Sequence, residues 1–403
     1  MTTAPSVPSS NNRLPVTLTY FSVFVALGLA GVIVGPTLQG LAAHTGATLA
    51  QISALFTLRS LGYMIGSYLS GRIYDRVAGN PVIAAMMLLV AVMMVLMPII
   101  SYLWILAGVV FVLGVAEGAI DVGGNIQLMW VHGRQVGPYM NGLHFCWGVG
   151  AFLSPIIVAR AILASGDITW AYWVIAVLVL PPMIPLLRLP SPARYAEAAR
   201  RVTATGSTRL FLLIVAFFLL YVGAEATFGG WIFSYAVAQG QTDRATAAYL
   251  TSVFWGALTL GRLIGMPAAT RLAPHALLAA CLAGCVCSIF AILLLHSVSA
   301  VIWLGVFGAG LFMGPMFPTM LAYAERRMTI TGQMTGWFLV GSAVGGMSMP
   351  WLVGQLFVAI GPYVTIAIAF IDMALASAAF AGLMLAPTHR SHESQPQAET
   401  GGA

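Results

Sequence analysis

Twelve apolar stretches, each long enough to cross a bilayer as a helix, recur along this chain, and no other feature restricts its possible folds as much. They fall at 16–41, 51–71, 81–100, 103–130, 139–163 and 169–187, then at 210–238, 245–268, 275–295, 300–323, 333–359 and 363–385. About 20 apolar residues cross the hydrocarbon core as a helix, and in lipid the backbone must satisfy its own hydrogen bonds. The chain of 403 residues is 60% hydrophobic and only 7% charged, which leaves too little polar surface to wrap a water-soluble core of this size. A large soluble helical protein is excluded. The first stretch is too long for the apolar region of a cleaved signal and no convincing cleavage site accompanies it, so it is read as the first span.

The basic residues then set the topology. All 17 are arginine. Thirteen of them, Arg13, Arg72, Arg76, Arg134, Arg188, Arg194, Arg200, Arg201, Arg209, Arg271, Arg326, Arg327 and Arg390, fall on one side if the spans alternate. By the positive-inside rule that side is cytoplasmic and holds both termini. The net charge of +6 therefore reports orientation, and nucleic acid is not an expected partner. The expected organisation is an N-terminal tail over 1–15, a six-helix bundle over 16–187, a basic cytoplasmic linker over 188–209, a second bundle over 210–386 and a polar, disordered tail over 387–403. Cys146, Cys281, Cys285 and Cys287 all lie in apolar segments and have no zinc or disulfide spacing.

The two bundles repeat each other at an offset of about 195–200 residues. GYMIGSYLSGR from Gly62 matches GRLIGMPAATR from Gly261. LGVAEGAID from Leu113 matches AGLFMGPMF from Ala309, with Gly114 and Gly118 facing Gly310 and Gly314. MNGLHFCWGVGAFLSP from Met140 resembles MTGWFLVGSAVGGMSMP from Met334. Small-xxx-small pairs such as Gly62/Gly66 and Gly261/Gly265 predict close helix crossings, since packing drives association where water is absent.

Ionisable side chains are costly in hydrocarbon and mark function by default. Well inside the predicted spans these are Arg59, Glu117, Asp121, His144, Glu225, Arg262 and Asp372. Glu117, Asp121 and Asn125 recur at i, i+4 and i+8 and form one polar stripe, which lipid rejects; it must line a cavity or meet a partner, and Arg59 is the counter-charge at similar depth. Two acids facing one arginine leave a spare carboxylate for an ion-coupled site. The alternative is a static Arg59–carboxylate clamp between helices. Gln127 extends the polar set on the same span.

On the seventh span Glu225, Phe228, Trp231 and Tyr235 are read as one broad face, in which aromatic rings stack on the apolar face of a sugar while carboxylates and amides bind its hydroxyls. Trp231 and Tyr235 have a second reading as an interfacial aromatic belt. Asn141, His144 and Trp147 cluster on the fifth span. Asp372 is assigned to Arg262 as a structural charge partner. No H-E-x-x-H, G-x-S-x-G, phosphate loop or dinucleotide fingerprint is present, so an enzyme is not expected. Nor is a metal site or organic cofactor; the coupling ion, H+ or Na+, is the one inorganic partner expected.

Two six-helix halves joined by a basic loop resemble the major facilitator superfamily. Its signature between spans two and three is matched by Gly71, Asp75 and Arg76, with the next glycine shifted to Gly79 and the basic pair replaced by Asn80 and Pro81. VGPTLQGL from Val34, IDVGGNIQL from Ile120, LHFCWGVGAFLSP from Leu143, LYVGAEATFGGWIF from Leu220, AAYLTSVFWGALTLGRL from Ala247 and FPTMLAYAE from Phe317 are similar to the sodium-dependent glucose transporter branch, itself related to fucose:proton symporters. The resemblance implies an all-α membrane fold of twelve helices in two pseudo-symmetric bundles around a central cavity, a gating loop at Gly71, Arg72, Asp75 and Arg76, and alternating access. It implies a hexose substrate, such as glucose or fucose, moved with a proton or sodium. Fucose permeases carry an acid on the first span four residues before a proline; here that position, before Pro36, is Val32. The expected solute site is Asn125, Gln127, Asn141, His144, Trp147, Phe228 and Trp231, with Glu117, Asp121 and Glu225 for the ion. The expected setting is a monomer, surrounded by lipid, in a plasma membrane of the bacterial inner-membrane type. Proton-driven efflux of drugs or metabolites and a non-transporting sensor are the competing readings.

Overall fold

A computed structural model describes residues 10–192, 208–240, 242–328 and 332–385. Among the described residues sixteen α-helices make up the N-terminal and C-terminal halves. The first half contains α1 (Ser10–Gly31), α2 (Val34–Thr45), α3 (Leu49–Ile52), α4 (Ala54–Tyr74), α5 (Gly79–Leu96), α6 (Leu103–His132), α7 (Gly137–Ser165), α8 (Thr169–Val179) and α9 (Met183–Arg188). The second contains α10 (Thr208–Ala238), α11 (Arg244–Arg271), α12 (Pro274–Leu294), α13 (Ser299–Met313), α14 (Met316–Glu325), α15 (Gly332–Ile360) and α16 (Val364–Leu385).

Among the described residues eleven helical stretches are apolar and long enough to cross a bilayer. The remaining span, α3 with α4, is less apolar because Arg59, Ser60, Tyr63, Ser67 and Arg72 fall on it. The first helix starts at Ser10, inside the segment expected to be a tail. The linker expected at 188–209 and the tail at 387–403 lie largely or wholly outside the described residues.

Some spans are single rods and others are broken. The first splits between α1 and α2, where Pro36 removes a backbone donor from the opening turn of α2. The tenth splits at Gly314–Pro315. Their counterparts in the repeat, α10 and α6, run unbroken for 31 and 30 residues. The pseudo-symmetry is therefore real in topology and departed from in the helix interiors.

The glycine pairs explain how each half is held. Cβ atoms at Gly62 and Gly66 would collide with the carbonyls of Phe111 and Val115 on α6, and those at Gly114 and Gly118 with the carbonyls of Arg59 and Tyr63 on α4. Gly261, Gly310 and Gly314 make the same crossing between α11 and α13. Gly28 and Gly150 bring α1 against α7, and Gly345 brings α15 against α10. In each case the two helices run parallel, since the contacts advance together in number. Gly114→Leu is expected to cost about 1–3 kcal/mol, as overpacking does, read as a lower melting temperature in detergent. Gly108→Leu on the same helix, where a side chain meets open space, should leave melting near wild type.

Contacts between the halves gather toward one face of the bundle, opposite the end that carries Arg188 and Thr208. There Gln355 donates from Nε2 to the Ala50 carbonyl at 2.9 Å, and the Thr57 hydroxyl donates to the Met347 carbonyl at 3.1 Å. Gly35 abuts the backbone at Gly229 and Gly230. On the same face His44 bridges the Pro98 carbonyl and Asp167, each at 3.0 Å. Burial alone would raise the Asp167 carboxyl, but hydrogen bonds from Thr169 and Ile168, with the His44 ring nearby, outweigh it and hold the carboxyl below its ordinary value. Toward the other face Tyr68 on α4 and Trp337 on α15 are 63% and 52% exposed. The bonds that join the halves are thus concentrated at the far face, while Tyr68 and Trp337 stand exposed toward the linker face.

Candidate functional site

The charged residues of the N-terminal half fall into two groups with different jobs. Glu117 sits between Gly114 and Gly118, in the seam where α6 touches α4, and is 1% exposed. Arg59 reaches its Oε2 with Nε at 2.8 Å and Nη2 at 2.7 Å. The other oxygen, Oε1, has no hydrogen-bond partner. This is the helix clamp, the alternative weighed for these residues, and it removes Glu117 from the exposed stripe.

One turn further, Asp121 is half-buried. The Tyr63 hydroxyl donates to its Oδ2 at 2.5 Å, and Asn125 donates from Nδ2 to its Oδ1 at 3.1 Å. Both donors are neutral, so the Asp121 charge is hydrogen-bonded without being cancelled. His144 on α7 is exposed, meets Phe24 edge-on at 6.0 Å, and lies within electrostatic range of Asp121 and Arg262. Asn141, one turn nearer the linker face, is also exposed. Trp147 is half-buried and meets Trp255 of the other half edge-to-face at 5.6 Å. Arg59 and Trp147 converge on Gly31, where a Cβ would stand 3.6 Å from the guanidinium and 3.7 Å from the indole.

The C-terminal half contributes Glu225 and Arg262. Glu225 is half-buried and accepts a short hydrogen bond from Tyr221, whose hydroxyl also lies 3.2 Å from the Met313 carbonyl at the break between α13 and α14. Arg262 is half-buried with its guanidinium 5.8 Å from the centre of the Trp147 ring.

Four expectations are corrected by these positions. Asp372 does not pair with Arg262: α16 packs on α10, α12 and α15 while α11 packs on α7 and α13, so α10 stands between them. Asp372 is 3% exposed against Gly223 and Met349, and its Oδ2 has no hydrogen-bond partner. Gln127 is fully buried against Gly79, at the start of α5, away from Asp121 and Asn125. Phe228 and Trp231 are fully buried: Phe228 stacks on Phe254 at 5.5 Å, and Trp231 donates to the Pro350 carbonyl at 2.9 Å and packs on Phe357. Neither these rings nor the equally buried Tyr235 forms an interfacial belt. Six residues on from Asp121 or Glu225 is about 600°, which turns Gln127 and Trp231 about 120° off their acid's face.

At the loop after α4, Arg72 donates to the Tyr68 hydroxyl at 2.6 Å and lies 4.5 Å over its ring. Asp75 and Arg76 are exposed in the turn, and a side chain at Gly71 would meet open space. Sequence reasoning missed Tyr63, Tyr221 and Trp255. Tyr221 had a usable signal, since it precedes Glu225 by one turn; Tyr63 stands one turn after Arg59.

Comparison with known proteins places this geometry in context. The family model described as Major Facilitator Superfamily matches residues 17–350. Sodium-dependent glucose transporter 1A of Mus musculus is 28% identical over 374 residues, covering 83% of this chain and 88% of that protein. Major facilitator superfamily domain-containing protein 4A of Homo sapiens is 27% identical, covering 96% and 95%. Among solved structures the nucleoside transporter NupG superposes with a TM-score of 0.74 at 12% identity, covering 93% of this chain and 99% of that one. A bacterial homologue of the human lysosomal transporter Spinster, inward-facing and unoccupied, gives 0.69 at 12% identity, with 93% and 97% covered.

Proposed function

The chain belongs to the major facilitator superfamily, and from that premise we propose that it is a secondary active transporter of a hexose such as glucose, coupled to a proton or sodium ion by alternating access. Its relatives and structural neighbours are transporters, not enzymes. The hexose reading draws on the relatives named for sodium-dependent glucose transport.

The observation that carries the coupling is Asp121. A carboxylate held in the middle of a membrane bundle only by neutral donors keeps its charge available to a cation. Asn125, Asn141, His144 and Trp147 surround it with the amide, imidazole and indole groups that bind hydroxyls and the apolar face of a sugar ring. Glu225, with Tyr221, supplies a second acid from the opposite half. Glu117 serves as clamp rather than ion site in this reading. Phe228 and Trp231 support the far-face closure, and rocking of the halves is what brings solute from one side to the other.

The arginine distribution supports a cytoplasmic linker face, both termini inside, and a plasma membrane of the bacterial inner-membrane type. On this reading the halves part toward the linker face, and the cleft between them opens to the cytoplasm. A monomer suffices, because both halves of the site come from one chain.

The test is transport in proteoliposomes with proton and sodium gradients imposed separately. Wild type should accumulate glucose or a related hexose under one gradient. Asp121→Asn and Glu225→Gln should each reduce gradient-driven accumulation about 10–100-fold, the scale of a lost hydrogen bond to a charged group. Accumulation at the wild-type level by both variants would sink the coupling reading. Flux of lipophilic cations without sugar flux would replace the hexose by efflux substrates.

A further inference from the structure

His44, in the last turn of α2, makes two bonds that a neutral imidazole cannot make together. Its Nδ1 lies 3.0 Å from the Pro98 carbonyl, in the turn after α5, and its Nε2 lies 3.0 Å from Oδ1 of Asp167, in the loop between α7 and α8. A carbonyl oxygen only accepts, and so does an ionised carboxylate. Asp167 is ionised: the Ile168 amide donates to Oδ1 at 2.7 Å and the Thr169 hydroxyl to Oδ2 at 2.5 Å, and these bonds hold the carboxyl below its ordinary value. A neutral ring has one N–H and would aim a lone pair at one of the two oxygens. Both bonds form only when both ring nitrogens carry hydrogen, so the geometry is that of an imidazolium. A cation also suits this place, because α2 ends at Thr45 and its last carbonyls present partial negative charge.

The position matters because α2 is a half-span, set off from α1 and lying between the two halves. One side of it rests on the N-terminal half: Thr37 bonds the Tyr172 hydroxyl at 2.7 Å, Gly40 faces Ile168, and His44 meets Asp167. Steps of three and four residues keep these contacts on one helix face. At Gly35 the helix meets Gly229 and Gly230 of the C-terminal half. Of the three ties to the N-terminal half only His44 is ionic. Among the described residues Asp167 is the one carboxylate within 4.0 Å of it, and neither Arg160 on α7 nor Arg244 at the start of α11 pairs with Asp167. Tyr172 is engaged by Thr37, and Asp243 caps α11 through the Thr246 amide. The His44 and Asp167 side chains are 29% and 44% exposed, so a proton can come from and return to water at the far face.

We propose that His44 is a proton site of the far face, separate from Asp121, and that the proton bound there ties α2 to the N-terminal half. With the proton in place, N–H donors meet both Pro98 and Asp167, and α2 travels with the N-terminal half when the halves separate. When the proton leaves for water, one donor goes with it, a lone pair opposes an acceptor oxygen at 3.0 Å, and α2 keeps only its neutral contacts. The tie is therefore complete below the histidine range and is lost as pH rises through it; at the acid end it is lost as Asp167 takes a proton. It depends on pH at the far face and not on the solute, so it does not rest on the hexose reading.

Hydrogen exchange of the amides of 34–45 in the purified full chain, compared between proteins at the same pH, tests this. At about pH 5.5 these amides should exchange about fivefold faster in His44→Gln than in wild type, the scale of a partly exposed ion pair. At about pH 8.5, beyond the histidine range, the two should agree within about twofold. Asp167→Asn should reproduce both results, and the His44→Gln/Asp167→Asn pair should exchange no faster than either single variant. Nitrogen-15 spectra of histidine-labelled chain, with His44→Gln identifying the resonances, should show both His44 ring nitrogens protonated at the acid pH and one at the alkaline pH.

Equal exchange in wild type and the variants at the acid pH overturns the proposal. So does a difference of the same size at both pH values, since His44 then supplies contact and no proton, and so does a ring with a single N–H at the acid pH. If His44→Gln does not fold, Asp167→Asn carries the same two comparisons from the other side of the bond, and its failure to differ from wild type at the acid pH is decisive against the tie.

Discussion

Arg59→Gln should destabilise the protein by about 3 kcal/mol, the lower end of the range for breaking a buried ion pair by removing one partner. The lower end applies because the Arg59 side chain is 24% exposed and part of its charge is screened, while that of Glu117 is 1% exposed. The loss comes from Glu117, which would be left in the α4–α6 seam with one oxygen already unpartnered. Glu117→Gln leaves Arg59 near the cleft, where water reaches it, and should cost less. The Arg59→Gln/Glu117→Gln pair should recover most of the loss, because two neutral amides of nearly the same shape can bond each other. Unfolding titrations of the four proteins in detergent give the coupling energy directly. The same proteins also separate clamp from coupling acid: the double variant should retain cation-driven uptake, and its abolition with stability restored would return Glu117 to the ion site.

Much of the fold was legible because lipid leaves few choices. Span length, the arginine-bearing ends and the repeated glycines all follow from the bilayer's thickness and the absence of water between helices. What hydropathy could not see was the interruption of an apolar run. The breaks at Gly31–Ile33 and Gly314–Pro315 carry glycine and proline signals, but each lies inside a stretch that averages as one span. Pro350 and Pro155, by contrast, lie inside unbroken helices. Proline alone therefore does not identify a break.

The site was legible where one helix carried its parts and obscure where two did. The stripe from Glu117 to Asn125 follows from the helical period, and so does the pairing of Asn125 with Asp121. Which of the two acids meets Arg59 is decided by where α4 crosses α6, a three-dimensional fact set by Gly114 and Gly118. Tyr63 and Tyr221 escaped because a tyrosine in an apolar span reads as lipid contact until its hydroxyl finds a carboxylate. Trp231 was misplaced for the opposite reason: composition suggested a platform, while its phase on α10 turns it toward Pro350 and Phe357.

Closing the far face depends on contacts with backbone atoms and a backbone-fixed Cβ, that of Ser53, which rotamer changes cannot relieve, and this gives the second large effect. A Cβ at Gly35 would fall on the Gly229 carbonyl, and one at Gly354 on the Ser53 side chain, both at the junction of the halves. Each overpacked contact costs about 1–3 kcal/mol, while turning a carrier from almost wholly one state to almost wholly the other takes about 5.5 kcal/mol. Gly35→Val alone should therefore shift the balance toward the state open at the far face, and Gly35→Val/Gly354→Leu should shift it nearly completely. Net transport by the double variant should drop at least about 100-fold, with melting within a few degrees of wild type because the strain is released by opening. The check uses a cysteine at Tyr68 or Trp337, in the linker-face cleft, after Cys146, Cys281, Cys285 and Cys287 are replaced. Labelling by an impermeant maleimide should be fast in the parent and slow in the double variant. Equal labelling would mean that the Gly35 and Gly354 contacts do not govern the equilibrium, and that the halves are held by the α7–α11 seam around Trp147 and Trp255 instead.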